Sequence, residues 1–152
     1  MNRMHLHVSV PDLAQSIRFY ETLFGAPPVV VKSDYAKWML DDPSVNFAIS
    51  TRDRDTGVDH VGIQVESSEE LAELSGRLKA AGAKTSDQVA TTCCYAQSDK
   101  SWVTDPSGIR WETFYTFGEA TTYGQDASVA DGQPRSPAGC CGTQPKTEPA
   151  CC

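Results

Sequence analysis

The segment His5-Leu-His-Val-Ser-Val10 returns 55 residues later as His60-Val-Gly-Ile-Gln-Val65. Both runs alternate with a period of two and are rich in branched residues, which is the pattern of a β-strand. A helix start follows each. Asp12 with Gln15, and Ser67 with Glu70, have the spacing at which a short polar side chain caps an amide three residues on. Apolar residues at helical spacing come next: Leu13, Ile17, Tyr20 and Phe24 in the first half, Leu71, Leu74, Leu78 and Ala81 in the second. Gly25 and Gly82 then stop the helices in left-handed conformations. A second echo aligns WMLDDPSVNFA (38–48) with WVTDPSGIRWE (102–112), with one residue gapped before Asp-Pro-Ser and another after it. Each half reads as strand, helix and about three strands. The sequence therefore predicts an α+β fold of two βαβββ modules, about 1–57 and 58–117, sharing one curved mixed sheet around a cleft.

Beyond residue 117 the composition changes. Residues 118–152 contain no Leu, Ile, Phe, Trp or Met, so little there offsets the entropy of ordering the chain, and a flexible tail is expected. At 152 residues the whole is one domain by size. A net charge of −7 disfavours nucleic acid and anionic membranes as partners. No apolar run approaches the ~18 residues of a membrane span, and the first ten residues lack a signal-peptide core. The six cysteines form three adjacent pairs, Cys93-Cys94, Cys140-Cys141 and Cys151-Cys152. With no secretion signal, that arrangement points to a reducing cytoplasm rather than to a disulfide scaffold.

Aligning the halves isolates the residues that carry chemistry. His5 and His60 hold the same place on the first strand of each module. Glu112 lies on the last strand of the second module, and its counterpart in the first is Ala48. Two imidazoles and one carboxylate, with the fourth place apolar, make a facial triad that leaves positions open on a divalent metal. The set suits Fe(II) oxygen chemistry, and Zn, Mn or Co could also occupy it. A carboxylate on an inward face is costly to bury unless it is paired or metal-bound. His7 shares a strand face with His5, but its counterpart is Gly62, so His5 is the expected ligand and His7 a supporting or packing residue that could also substitute for His5.

Cys93 and Cys94 are poor disulfide partners for each other. Adjacent Cα atoms lie about 3.8 Å apart, short of the roughly 4.4–6.8 Å of a relaxed bridge. A metal or metalloid ligand, a redox pair and chance remain. If both sulfurs reach one atom, they must sit in a loop or a distorted strand end, since strand neighbours face opposite ways. Lys100 could lower a thiol pKa or steady a developing negative charge, but reads first as a solvated loop lysine. Trp102, as the echo of Trp38, reads as core.

The strand histidine, the run D-L-x-x-S-I-x-F-Y-x-x-L-F-G from Asp12 to Gly25, the second histidine and the strand glutamate resemble the vicinal oxygen chelate superfamily of glyoxalases, antibiotic resistance proteins and extradiol dioxygenases. Within it, T-T-C-C-Y-A-x-x-D-K-x-W, from Thr91 to Trp102, resembles the organoarsenical carbon–arsenic lyases and the related cadmium-induced proteins. The resemblance covers residues 3 to about 117. It implies an Fe(II)-dependent lyase of dioxygenase type, with O2 as co-substrate, that cleaves the C–As bond of trivalent organoarsenicals such as methylarsenite. His5, His60 and Glu112 would hold the metal, Cys93 and Cys94 would bind the arsenic, and Cys93, Cys94 and Glu112 would be the catalytic set. That family can use Gln where this chain has His5.

The protein would be a monomer or homodimer that passes arsenite to an efflux system, with the tail pairs Cys140-Cys141 and Cys151-Cys152 as metalloid scavengers or drifted sequence. The rival reading is a thiol protein that sequesters Cd or As without turnover. A glyoxalase-like reading is weakened by Ala48 at the fourth ligand place.

Overall fold

In a computed structural model, which describes residues 1–52 and 54–124, each half forms a strand, a helix and three strands. The first module contains β1 (Arg3–Ser9), α1 (Leu13–Phe24), β2 (Val30–Val31), β3 (Tyr35–Asp41) and β4 (Ser44–Ser50). The second contains β5 (Gly57–Val65), α2 (Ser68–Ala80), β6 (Ser86–Cys93), β7 (Ala96–Thr104) and β8 (Arg110–Glu119). The capping signals work as expected. Asp12 accepts from the Gln15 amide at 2.8 Å, and Ser67 accepts from the Glu70 amide at 3.2 Å. Gly25 and Gly82, with φ of 65° and 80°, close the helices.

All eight strands form one mixed sheet in the order β2-β3-β4-β1-β5-β8-β7-β6. Its centre is the antiparallel pair β1–β5, where His5 faces Gly62 and His7 faces His60. Adding the repeat offset of 55 to His5 and subtracting it from Gly62 returns the second pair with the strands exchanged, so the two modules meet about a local two-fold. The outer pairings obey the same relation. β1 runs parallel to β4 and β5 parallel to β8, with His7 opposite Ala48 and Gly62 opposite Glu112. Ala48 and Glu112 are therefore true counterparts.

Period-two alternation gives the sheet two unlike faces. On the helix side Ala36, Trp38, Phe47 and Ile49 are buried under Leu13, Ile17, Tyr20 and Phe24 of α1. Each large side chain there contributes roughly 1.5–3 kcal/mol. The concave side carries His5, Asn46, Gln64, Lys100 and Glu112.

Two expectations change. Trp102 does not repeat Trp38. The hairpin registers pair Lys37 with Ala48 and Trp102 with Glu112, so the counterpart of Trp102 is Lys37. A one-residue slip exchanges faces, and Trp102 lies in the cleft with its ring 5.1 Å from that of His60. The folded chain also runs past residue 117. β8 continues to Glu119, and Tyr123 is buried against Tyr35 and Cys93, because one aromatic ring supplies the burial that the missing aliphatic residues do not. Residues 125–152 of the expected tail, with Cys140, Cys141, Cys151 and Cys152, lie outside the described residues.

Gly62 is fixed by the approach of β8, since a β-carbon there would overlap the Glu112 carbonyl oxygen. Gly62→Ala is expected to cost about 2 kcal/mol through overpacking, read as a lower midpoint in urea unfolding.

Candidate metal and thiol site

β1, β5 and β8 deliver His5, His60 and Glu112 to one point. The two Nε2 atoms are 3.2 Å apart, and Glu112 Oε2 lies 3.7 Å from His5 Nε2 and 3.5 Å from that of His60. All three residues are buried. The remaining ring nitrogens are engaged: His5 Nδ1 donates to the Asn46 carbonyl at 2.9 Å, and His60 Nδ1 to Asp59 Oδ2 at 3.2 Å. Those bonds orient both Nε2 atoms toward each other and toward the carboxylate, as in metal sites whose histidines are held from behind. Bonds of ~2.1 Å at right or tetrahedral angles separate donors by ~3.0–3.4 Å, close to the spacing found. The donor set fits a divalent metal.

The charges around this point compensate one another. Burial pushes the Glu112 carboxyl up, but Lys100, His60 and His5 outweigh it and hold the group well below the usual carboxylate range. Burial lowers His5 to about 4 despite Glu112, so its ring is neutral. Burial also opposes charge on His60, yet hydrogen bonds to Asp59 and Glu112 raise it to about 9. Without a metal, a proton on His60 occupies the centre of the triangle.

Two residues were missed or misread from sequence. Lys100, expected in solvent, is buried on β7 and pairs with Glu112 Oε1 at 2.5 Å, leaving Oε2 to the histidines. Its signal was its place two residues before Trp102 on the same strand face. Asp59 is adjacent to His60 and on regular alternation would point away. A bulge in β5, where pairing jumps from His7–His60 to Val8–Val58, leaves Asp59 unpaired and turns it inward. There it also meets Arg54 at 3.5 Å and Arg110 at 3.7 Å. His7 is the third donor of an overlapping set, its ligating atom within 4.8 Å of those of His5 and His60. Its Nε2 bonds Ser50 Oγ at 2.9 Å, and burial lowers its pKa to about 3. His5 and His60 thus belong to two overlapping donor sets, one completed by Glu112 and the other by His7.

Cys93 ends β6, and Cys94 and Tyr95 form the two-residue turn into β7. Both turn residues have positive φ, 58° and 62°. This is the conformation of a tight hairpin usually filled by Asn-Gly, at a cost of roughly 1–2 kcal/mol per residue. The twist brings the sulfurs to 2.9 Å, close enough for one atom to bridge both. Tyr95 anchors the turn by donating to Asp34 Oδ1 at 2.7 Å, and its carbonyl accepts from the Ala120 amide at 2.8 Å. Cys93, Cys94, His5, Lys100 and Glu112 line a single cavity of about 60 Å³.

Removing one partner of the buried Lys100–Glu112 pair strands a charge. Lys100→Met should cost the metal-free protein about 3 kcal/mol, and adding Glu112→Gln should recover most of it in denaturant titrations. Because the proton on His60 must leave when a metal enters, affinity should rise by about tenfold per pH unit between pH 6 and 8. Calorimetry with Zn(II) in buffers of different ionisation enthalpy should count about one proton released per metal.

The family model for the Glyoxalase/Bleomycin resistance protein/Dioxygenase superfamily matches residues 4–113. A protein named trivalent organoarsenical cleaving enzyme from Bacillus sp. (strain MD1) is 44% identical over a 156-residue alignment, covering 100% of this chain and 91% of the relative. The cadmium-induced protein CadI of Mycobacterium bovis is 34% identical over 145 residues, 95% of each chain. Among solved structures, the 2,3-dioxygenase LapB from Pseudomonas sp. KL28 superposes with a TM-score of 0.61 at 22% identity, over 78% of this chain and 42% of its own. No helix among the described residues is long and apolar enough to cross a membrane. By its two-module sheet, its cleft and these matches, the chain belongs to the Glyoxalase/Bleomycin resistance protein/Dioxygenase superfamily.

Proposed function

We propose that the protein is an Fe(II)-dependent lyase that cleaves the carbon–arsenic bond of trivalent organoarsenicals such as methylarsenite and releases arsenite. The observation that carries this reading is the shared cavity: two sulfurs 2.9 Å apart open onto the space that His5 and Glu112 border. Relatives named for organoarsenical cleavage at 37–44% identity support it. Trivalent arsenic is thiophilic, and with one carbon substituent it keeps two exchangeable ligands, so two thiols capture it. Cys93 and Cys94 would hold the arsenic and orient the attached carbon toward the triad, converting an encounter into an aligned reaction. His5, His60 and Glu112 would hold the iron, whose chemistry when bound is activation of O2. Lys100 would keep Glu112 ionised, and Asp59 would fix the ring of His60. The half-buried cleft limits water at the reacting carbon.

A second reading, capture of Cd(II) or As(III) without turnover, draws on the cysteine pair and on the relatives named CadI. It gives the buried carboxylate no role. The reduced protein loaded with Fe(II) in air should release inorganic arsenite from methylarsenite, followed by separation of arsenic species. Glu112→Ala should lower turnover by on the order of 100-fold or more while arsenical capture survives, and Cys93→Ser or Cys94→Ser should remove turnover. Truncation after residue 124 should leave most of the activity. Capture with no arsenite release by the loaded protein would favour sequestration.

A further inference from the structure

Lys37 occupies a position that neither the triad nor the thiols explain. It stands on β3 opposite Ala48, in the first module's counterpart of the place held by Trp102. Ala48 is fully buried in a cluster with Tyr35, Cys93 and Tyr123, so the place corresponding to Glu112 is apolar and Lys37 is the charged residue beside it in register. Lys37 lines the same cavity as Cys93 and Cys94. Among the described residues no carboxylate lies within 4 Å of its ammonium, whereas Lys100 is engaged with Glu112. A partly buried cation gains from a nearby counter-charge.

We propose that Lys37 is the counter-cation of the arsenic-binding pair, stabilising Cys94 as a thiolate and so setting the rate at which the cleft captures its substrate. The inference rests on the organoarsenical reading and adds a positioning residue to it. The electrostatics agree: burial lowers the Lys37 pKa, and Cys94 is the strongest opposing influence, ahead of Glu119 on β8. The other ionisable groups facing the pair are Tyr35, Cys93 and the Lys100–Glu112 couple in the cleft, with Asp34 and Lys32 against Tyr95 at the turn. A cation beside a cysteine lowers its pKa and raises the fraction present as thiolate. In the capture step each sulfur forms an As–S bond as an As–OH bond breaks. Cys93 gives its thiol proton to one displaced hydroxide, the hydroxide displaced by the Cys94 thiolate takes a proton from solvent, and arsenic remains trivalent, so no oxidant is required.

The test uses the full chain, metal-free, with Cys140, Cys141, Cys151 and Cys152 replaced by Ser so that only the cleft thiols react. The rate of iodoacetamide alkylation against pH gives the apparent thiol pKa. Lys37→Met should raise it by about one unit, slowing alkylation at pH 7 by about tenfold, and Lys37→Arg should restore the parent profile. The shift should persist when Cys93→Ser leaves Cys94 alone and shrink when Cys94→Ser leaves Cys93. Capture of phenylarsonous acid should slow in parallel, at an unchanged stoichiometry of one. Lys37→Gln is the second neutral variant should the Met protein melt below the parent. An unchanged alkylation profile in either natively folded neutral variant overturns the proposal. A parent protein with the Lys37-dependent profile but no arsenical capture overturns the functional reading instead, and leaves the pairing of Lys37 with Cys94 standing.

Discussion

The antiparallel pairing of β1 with β5 is the constraint on which everything else in the molecule hangs. Its register sets His5 against Gly62 and His7 against His60, and that brings the His5 and His60 imidazoles to 3.2 Å across a local two-fold. A slip of either strand by one residue would turn its own histidine to the helix side of the sheet, where Trp38, Phe47 and Ile49 pack. Register is strongly specified here because the two faces differ so much: one is apolar and covered by helices, the other carries ligands. The same hydrophobic burial that stabilises the fold therefore also positions the site. α1 is part of that positioning without touching the cleft.

A cleft lined with buried ionisable groups is stable only if the charges cancel locally. Three arrangements achieve this. Lys100 neutralises Glu112, Asp59 sits among His60, Arg54 and Arg110, and His5 is held as a neutral ring. The backbone is bent to suit. The bulge in β5 turns Asp59 inward, and the left-handed Cys94-Tyr95 turn puts two adjacent sulfurs on one side. Packing of Tyr123 on Tyr35 and Tyr95, with the Tyr95–Asp34 bond, offsets the conformational cost of that turn. Strain at a site is expected where geometry matters more than local stability.

Much of this was legible in the amino-acid order because duplication leaves a periodic record. The repeat at an offset of 55 located the two histidines, the strand pattern around Glu112 turned it inward, and the caps at Asp12 and Ser67 framed the helices. What escaped reading lies where the backbone departs from strict alternation. Asp59 is hidden by a bulge that no periodicity announces. Trp102 was matched to the wrong partner because the β3–β4 and β7–β8 hairpins differ in turn length, so identity of residue type outweighed register. Lys100 looked solvated because a lysine is seldom buried unless its partner is in view, and that partner is 12 residues away on the next strand. Tyr123 was overlooked because a composition argument counts residue types and not single well-placed rings.

Function in this architecture comes from the places where the two modules stopped matching. His5 and His60 preserve the symmetry, and a symmetric cleft with a ligand at position 48 would surround a metal with four protein donors. Ala48 against Glu112 removes one donor and opens the first module's side. Gly62 in place of a second His7 lets β8 press close enough to deliver Glu112. Trp102 fills its side of the cleft against His60, while its counterpart Lys37 leaves a chargeable, roomier side that faces the sulfurs. The open half of the metal site and the thiol pair thus lie toward the same cavity, and neither feature has an equivalent across the two-fold. A duplicated scaffold supplies rigidity and register; the broken correspondences make its two sides unlike, with Trp102 against His60 on one and Lys37 beside the paired sulfurs on the other.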